Sequence, residues 1–372
     1  MSGMGISRYP AMQGSGGVPA TPELSIVICS LNGAAGVERC LLALKAQTIR
    51  SALEVIVADD GSSDGTSEVA LARGACVVRH STNRGLAAAR NSGISAANAP
   101  IVAFLDDDCE PEPEWAQQLL AGYATDVVGA GGPILPHAGS GFMLGYLARH
   151  NPLAPQELDL AKSNRLPYRF YLYLRRQWTR PKQPGQRDVF CLAGANMSMR
   201  RQAVLAVGGF DERFRFGSEE QDLFQRLARA FPSQRLVFVT NARVMHYFKP
   251  ALSDTLRRSR AYGRGSARMY RKWPSVRPTF FPGPVLVLAL LGMSVRVPLL
   301  AAAALLVPHL LYPQGLRTAI SERGAECLLD AYVQLAQEGC DDVGFIEGLW
   351  RFRHLVPEAT AAGRHVRPDR GP

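Results

Sequence analysis

Paired cysteines are absent from this chain. Its seven cysteines (Cys29, Cys40, Cys76, Cys109, Cys191, Cys327 and Cys340) stand singly with no CxxC pair. That argues against a disulfide framework and a zinc site and points to a reducing, cytoplasmic setting. The stretch Met1–Ala20 has no apolar run of the secretory-signal kind, so residues 1–22 are expected to form a flexible leader. Clear periodicity is missing from Pro133 to Gly185, where His137, His150, Tyr168, Tyr171, Tyr173 and Trp178 lie among arginines. An insertion over 133–187 that covers a binding site is the expected arrangement.

Apolar residues are plentiful, 47% of 372, enough for one large domain or one plus an appendage. Lys plus Arg exceed Asp plus Glu by 42 to 32, which points to an acidic partner: nucleic acid, anionic membrane or a phosphorylated substrate. Leu24–Ser30 is a near-continuous apolar run, read as a strand buried on both faces of a parallel sheet. Leu53–Ala58, Cys76–Arg79 and Ile101–Leu105 repeat the signal, with a helix over Val37–Gln47 and an Ala-rich helix after Gly85 between them. Strand and helix alternate, the pattern of a doubly wound α/β sheet, whose ligands bind beyond the carboxyl ends of the strands.

The stretch IVAFLDDDCEPEPE, Ile101–Glu114, organises the rest. If the strand runs on, Asp106 and Asp108 point the same way and offer two hard oxygen ligands at its carboxyl edge. Such a pair begins a Mg2+ or Mn2+ site that takes its remaining ligands from a nucleoside diphosphate; the competing reading is a solvated acidic turn capping the next helix. Asp59-Asp60-Gly61-Ser62-Ser63-Asp64-Gly65-Thr66 ends the second strand in a polar turn. Its carboxylates can accept hydrogen bonds from a base or ribose, or Asp64 or Thr66 can cap the next helix. Arg84 and Arg90, beside Gly85, are placed to reach phosphate or to lie on the surface. Further on, Ser218-Glu219-Glu220-Gln221-Asp222 opens an amphipathic helix, where the acids either cap it or supply a general base. His246 is a structural histidine or a third metal ligand.

The segments LSIVICSLN, VIVADDGSSDGT, NRGLAAARN, FLDDDCEP, GANMSMRR, GGFDERF and SEEQDL, in that order from Leu24 to His246, resemble family 2 glycosyltransferases of the inverting GT-A type. The resemblance implies a GT-A domain over 23–250 with 133–187 as an acceptor-side insertion, and a nucleotide-sugar donor, a uridine diphosphate sugar first among them. It places Ser30, Asn32, Asp59, Asp60, Arg84, Arg90, Asp106 and Asp107 on the donor side, and Asp106, Asp108 and His246 around Mg2+ or Mn2+. Glu220, with Glu219 beside it, stands where the family carries its catalytic base, usually an aspartate. The loop Leu31–Gly36 has no lysine or arginine, which argues against a nucleotidyltransferase, and the basic stretch around Trp273 lacks a QxxRW-like processivity motif.

Beyond Lys249, Arg257, Arg258, Arg260, Arg264, Arg268, Arg271, Lys272 and Arg277 run without an intervening acid, and Phe280–Tyr312 is almost wholly apolar apart from Arg296. Residues 251–279 are read as a basic linker and 280–312 as a membrane-associated hairpin or pair of short helices; each half, about 15 residues, is short of the roughly 20 that span a bilayer. Residues 313–372 are read as a helix and polar tail. The expected protein sits at the cytoplasmic face of a cell membrane, against anionic lipid and not nucleic acid, and passes one sugar to a lipid-linked or saccharide acceptor. The alternative expectation is a catalytically silent homologue serving as a membrane scaffold.

Overall fold

The computed structural model describes residues 6–9, 22–159, 163, 165–179, 185–215, 217–276, 278, 281–322 and 324–358. The chain divides into two compact units: Met1–Lys162, Arg180–Arg215 and Glu219–Ala251 in one, and Ser163–Thr179, Phe216–Ser218 and Leu252–Pro372 in the other. In chain order the elements begin β1 (Ile6–Tyr9), β2 (Leu24–Ser30), α1 (Ala34–Lys45), β3 (Leu53–Asp59), α2 (Thr66–Ala72), β4 (Cys76–His80), α3 (Leu86–Ala96), β5 (Ile101–Asp106), β6 (Cys109–Pro111), α4 (Trp115–Ala121), β7 (Val127–Gly131) and β8 (Ile134–Pro136). They continue α5 (Phe142–Arg149), β9 (Gln156–Glu157), α6 (Leu166–Trp178), β10 (Arg187–Cys191), β11 (Asn196–Arg200), α7 (Arg201–Ala206), α8 (Glu219–Ala230), β12 (Arg235–Phe238) and β13 (Val244–His246). The last are α9 (Leu252–Lys272), α10 (Pro282–Ser294), α11 (Leu299–Leu311), α12 (Pro313–Glu322) and α13 (Asp330–Arg351).

The first unit is built on a sheet of order β1-β4-β3-β2-β5-β11-β7-β12-β10-β9. Strands β4, β3, β2 and β5 are mutually parallel, while β11 runs antiparallel to both its neighbours, β5 and β7. The parallel strands read as unbroken apolar runs because both faces are covered. Val37, Cys40, Leu41 and Leu44 of α1 pack on one side and Ala87, Ala89 and Ile94 of α3 on the other. Helix α3 comes so close that a Cβ on Gly93 would fall on the Val27 side chain. Register aligns Ser30 with Asp59 and Cys29 with Asp106, so three strand ends share one edge. A small sheet, β6-β13-β8, brings His246 opposite Cys109.

Several expectations are corrected here. The leader contributes the edge strand β1, paired antiparallel with β4; the rest of 1–22, apart from Pro22, lies outside the described residues. The insertion at 133–187 is not one body: β8, α5 and β9 stay with the sheet unit and α6 belongs to the other. The basic linker is a 21-residue helix, α9; Arg277, at its far side, lies outside the described residues. Thr255, Ser259, Gly263 and Ala267 make a buried stripe at four-residue spacing along α9, which favours helix over linker. The stripe faces α13, where a Cβ on Gly263 would strike the Asp341 backbone and one on Gly344 the Arg260 backbone. Arg257 pairs with Asp254, Arg260 with Glu347 and Lys272 with Glu358, so the run carries less uncompensated charge than its sequence implies.

The apolar stretch forms α10 and α11, each 13 residues. Among the described residues no single helix is long and apolar enough to cross a membrane, although Leu299–Leu311 with Pro313–Ser321, bent by 76°, pass that test together. Val295, just after α10, is 87% exposed and Leu299, which opens α11, 78%, and Leu288, Leu305, Leu306 and Leu310 are also exposed. Residues 359–372 of the expected tail lie outside the described residues, while α12 and α13 account for most of 313–358.

Inside the helical unit, Tyr312 donates to Glu338 at 2.6 Å and Tyr173 donates to the same oxygen at 3.0 Å. Burial pushes the Glu338 carboxyl up to about 7, against the opposing pull of hydrogen bonds from Tyr312, Tyr173 and Gln334. The folded chain then holds a proton that the unfolded chain releases near the ordinary 4.5, so stability falls as pH rises from about 4.5 through 7. Glu338→Gln fixes the protonated shape. Thermal midpoints of the two proteins are expected to be close at the acidic end, with the variant's advantage growing through pH 7; a gap independent of pH would contradict this burial.

Candidate functional site

The carboxyl edge of β2, β3 and β5 collects the acids, and the chain's local geometry decides their roles. β5 ends at Asp106, and Asp107-Asp108 turn before β6 resumes at Cys109. The alternation that would aim Asp106 and Asp108 alike therefore does not operate; the three acids separate into three environments. Asp107 accepts a hydrogen bond from the Ser30 hydroxyl at 2.5 Å, and burial pushes its carboxyl up to about 6, with Asp106 adding and the Ser30 bond opposing. Asp108 lies 3.2 Å from His246 Nε2. Asp106 sits 3.8 Å from a nitrogen of Arg90.

Asp108, Cys109 and His246 form a group whose ligand atoms all lie within 4.8 Å of one another, and Asp106 is not part of it. One carboxylate oxygen and one imidazole nitrogen suit a borderline cation such as Mn2+. Burial, then the charges of Asp106 and Asp108, push the Cys109 thiol well up, which disfavours the thiolate a metal would take. The residues thus fit a divalent cation through two of the three expected ligands, Asp108 and His246, while the third, Asp106, lies outside the group.

The second-strand acids are engaged within the protein. Asp60 accepts from His80 Nδ1 at 2.6 Å, from the Arg84 N–H at 2.8 Å and from the Gly85 N–H at 2.7 Å. Burial alone would raise its carboxyl; the His80 bond and the two backbone bonds outweigh it and hold it below the usual range. Asp59 accepts from the Ser62 N–H at 2.8 Å and from the Ser67 hydroxyl. Both expected base-binding carboxylates therefore spend acceptor capacity on pinning loops: Asp59 its own, and Asp60 the loop that starts α3, where Gly85 takes a φ of +98°. Asn32, itself at a φ of +56°, accepts from the Ser63 N–H at 2.9 Å. Arg84 reaches Glu212 at 3.1 Å on the exposed side.

Arg90 is neither on the surface nor open to a phosphate: it is 2% exposed. Its Nη1 is 3.0 Å from Glu219 and 3.5 Å from Glu220. Burial pulls the guanidinium's affinity for its proton down, and Glu220, Glu219 and Asp106 more than restore it. Glu219 is buried at 3% exposure; desolvation, then the Glu220 charge, push its carboxyl up to about 7 while Arg90 opposes. Glu220, its side chain 18% exposed, is the more accessible member of the pair.

Four contributors escaped the sequence reading. His80 bridges Asp60 and, at 2.8 Å, Ser92; its signal was a histidine closing a buried strand. Cys109 was hidden by its hydrophobic role. Asn91 holds Phe210 by donating to its carbonyl at 2.9 Å and accepting from its N–H at 2.8 Å, and nothing local marks that pairing. At Gly194 a Cβ would fall on Arg90 Nη2 and Glu220 Oε1, a constraint set by residues far away in sequence.

With this geometry in place, comparison with known proteins gives a consistent result. The family profile described as Glycosyl transferase family 2 matches residues 25–208, and the one described as Glycosyl transferase family group 2 matches 164–315. The pre-mycofactocin glycosyltransferase of Mycobacterium tuberculosis is 29% identical over 314 residues, 83% of this chain. The chain spans 60% of that relative's length. The N-acetylglucosaminyl-diphospho-decaprenol L-rhamnosyltransferase of the same organism is 30% identical over 247 residues, 61% of this chain and 76% of that protein. Among solved structures, the mannosyltransferase PcManGT from Pyrobaculum calidifontis in complex with GDP-Man and Mn2+ aligns with a TM-score of 0.53 at 18% identity, over 89% of this chain and 88% of that one. That is a likeness of fold.

Gly194→Ala is expected to overpack the buried charge cluster, lowering unfolding free energy by about 1–3 kcal/mol. Denaturant titration measures it, and a variant as stable as the parent would contradict the packing described.

Proposed function

The chain belongs to glycosyl transferase family 2, and from that membership we propose that it moves one sugar from a nucleoside diphosphate sugar to a hydroxyl of a membrane-proximal acceptor, a lipid-linked glycan or glycolipid, with inversion. The observation that carries the reading is the pairing of Glu220 and Asp106 through one buried guanidinium at the carboxyl edge of a parallel sheet, with Asp108 and His246 3.2 Å apart near by. Such edges are where α/β sheets bind nucleotides.

In this reading Glu220 is the general base, its carboxylate accepting the proton of the acceptor hydroxyl as that oxygen attacks the anomeric carbon. Asp108 and His246 hold the divalent cation, Mg2+ or Mn2+, with Asp106 on the diphosphate side. When bound, the cation supplies Lewis-acid compensation for charge developing on the departing diphosphate. Ser30, Asn32, Asp59, Asp60 and Asp107 shape the nucleoside side by holding their loops, and a uridine diphosphate sugar is the first donor to try. The relative named as a rhamnosyltransferase acts, by that name, on a decaprenyl diphosphate-linked sugar, which supports a lipid-linked acceptor.

Membrane attachment rests on the exposed apolar side chains of α10 and α11. So many exposed large apolar side chains on two neighbouring helices are costly in water and mark an interaction site. With Arg257, Arg260 and Lys272 already paired to acids, hydrophobic insertion carries more of the binding than charge attraction to anionic lipid at the cytoplasmic face of the cell membrane.

Glu220→Gln is expected to cut transfer by about 10²–10⁴ while nucleoside diphosphate binding persists. Proton NMR of the product is expected to show the anomeric configuration opposite to the donor's, and retained configuration would contradict the single-displacement reading. In flotation with phosphatidylcholine–phosphatidylglycerol vesicles the protein is expected to float. Leu288→Glu/Leu299→Glu, at exposed positions, is expected to sink. Equal behaviour of the two would remove the hairpin from the account.

A further inference from the structure

We infer that Arg90 is a positioning residue for the base: its guanidinium orients Glu220 and ties it to Asp106, instead of binding the donor diphosphate. The inference rests on the reading of Glu220 as base and deepens it. Three carboxylates converge on this group, Glu219 at 3.0 Å and Glu220 at 3.5 Å on Nη1 and Asp106 at 3.8 Å on Nη2. The groups of opposite or titratable character facing it are Glu219 and Glu220 from α8, Asp106 from the end of β5 and the Cys29 thiol of β2. The Phe210 ring packs 5.4 Å from the guanidinium carbon and the Phe104 ring 6.0 Å.

These contacts leave the guanidinium little freedom. A planar fork can serve one carboxylate on each terminal nitrogen at once, which a point-like ammonium cannot reproduce. Glu219 anchors Nη1 from the buried side; its other oxygen, Oε2, is buried with no hydrogen-bond partner among the described residues. Glu220 shares that nitrogen through Oε1, so its second oxygen remains for the acceptor. Gly194 closes the arrangement, since any side chain there would displace both Arg90 and Glu220. The fold thus places base and donor-side acid on the two arms of one rigid cation, and the separation of attacking and leaving ends is set by a single side chain.

The test is steady-state kinetics of Arg90→Lys beside Glu220→Gln. Lysine keeps the charge and loses the fork. Arg90→Lys is expected to lower kcat at least about tenfold while donor KM and uridine diphosphate thermal stabilisation stay within about twofold, as misplacing a catalytic group does. A donor KM raised tenfold with kcat unchanged would make Arg90 a phosphate ligand, and normal values of both would give it no role; either overturns the inference. If Glu220→Gln keeps the wild-type rate, the base reading itself fails. If Glu220→Gln is inactive and Arg90→Lys is normal, only the role of Arg90 fails. Should Arg90→Lys not fold, a crystal structure of the wild-type protein with uridine diphosphate and Mn2+ decides: the guanidinium stays on Glu219 and Glu220, or a phosphate oxygen within hydrogen-bond distance of it overturns the proposal.

Discussion

A buried cation among carboxylates constrains the sheet unit. Arg90 sits out of water on α3, and an uncompensated charge there would be strongly destabilising. Its compensation comes from two separate stretches of sequence: Asp106 where β5 stops, Glu219 and Glu220 where α8 begins. Removing Arg90 would leave Glu219 buried beside Glu220 with no opposing charge, so the guanidinium couples the end of β5 to the start of α8. The second constraint, Asp60, works the same way on a smaller scale, fixing the start of α3 through the Arg84 and Gly85 N–H groups.

Much of this was readable from local patterns. The runs of β2, β3 and β5 and the helical spacing of Val37, Cys40, Leu41 and Leu44 give the doubly wound core, because burial on both faces leaves an unambiguous apolar signature. Other features were not readable, for identifiable reasons. Alternation placed Asp106 and Asp108 together, yet it holds only while the backbone stays extended, and the chain turns at Asp107. Arginine is ordinarily exposed, so nothing near Arg90 in sequence announces that acids about 130 residues away bury it. The cations of α9 drew the eye to charge, while the informative pattern was the small residues Thr255, Ser259, Gly263 and Ala267 that let α13 approach.

The chain's two units answer to different physics. The sheet unit gathers Asp60, Asp106, Asp107 and the Arg90–Glu219–Glu220 cluster, held by hydrogen bonds and ion pairs, at the carboxyl edge of its strands, an arrangement that lets charges act with little reorganisation. The helical unit keeps a satisfied Tyr173–Tyr312–Glu338 cluster inside and leaves many apolar side chains of α10 and α11 exposed. Family membership agrees with the first; the proposed membrane attachment is how the second makes sense of an otherwise costly surface.

The central claim is that the acids at the carboxyl edge form a metal-assisted nucleoside diphosphate site. Anomalous X-ray scattering from crystals grown with uridine diphosphate and Mn2+ tests it most directly. One strong peak coordinated by Asp108 and His246 is expected, with phosphate oxygens of the nucleotide in its shell. Bound nucleotide with no manganese at those two side chains, or manganese bound elsewhere in the chain, would contradict it.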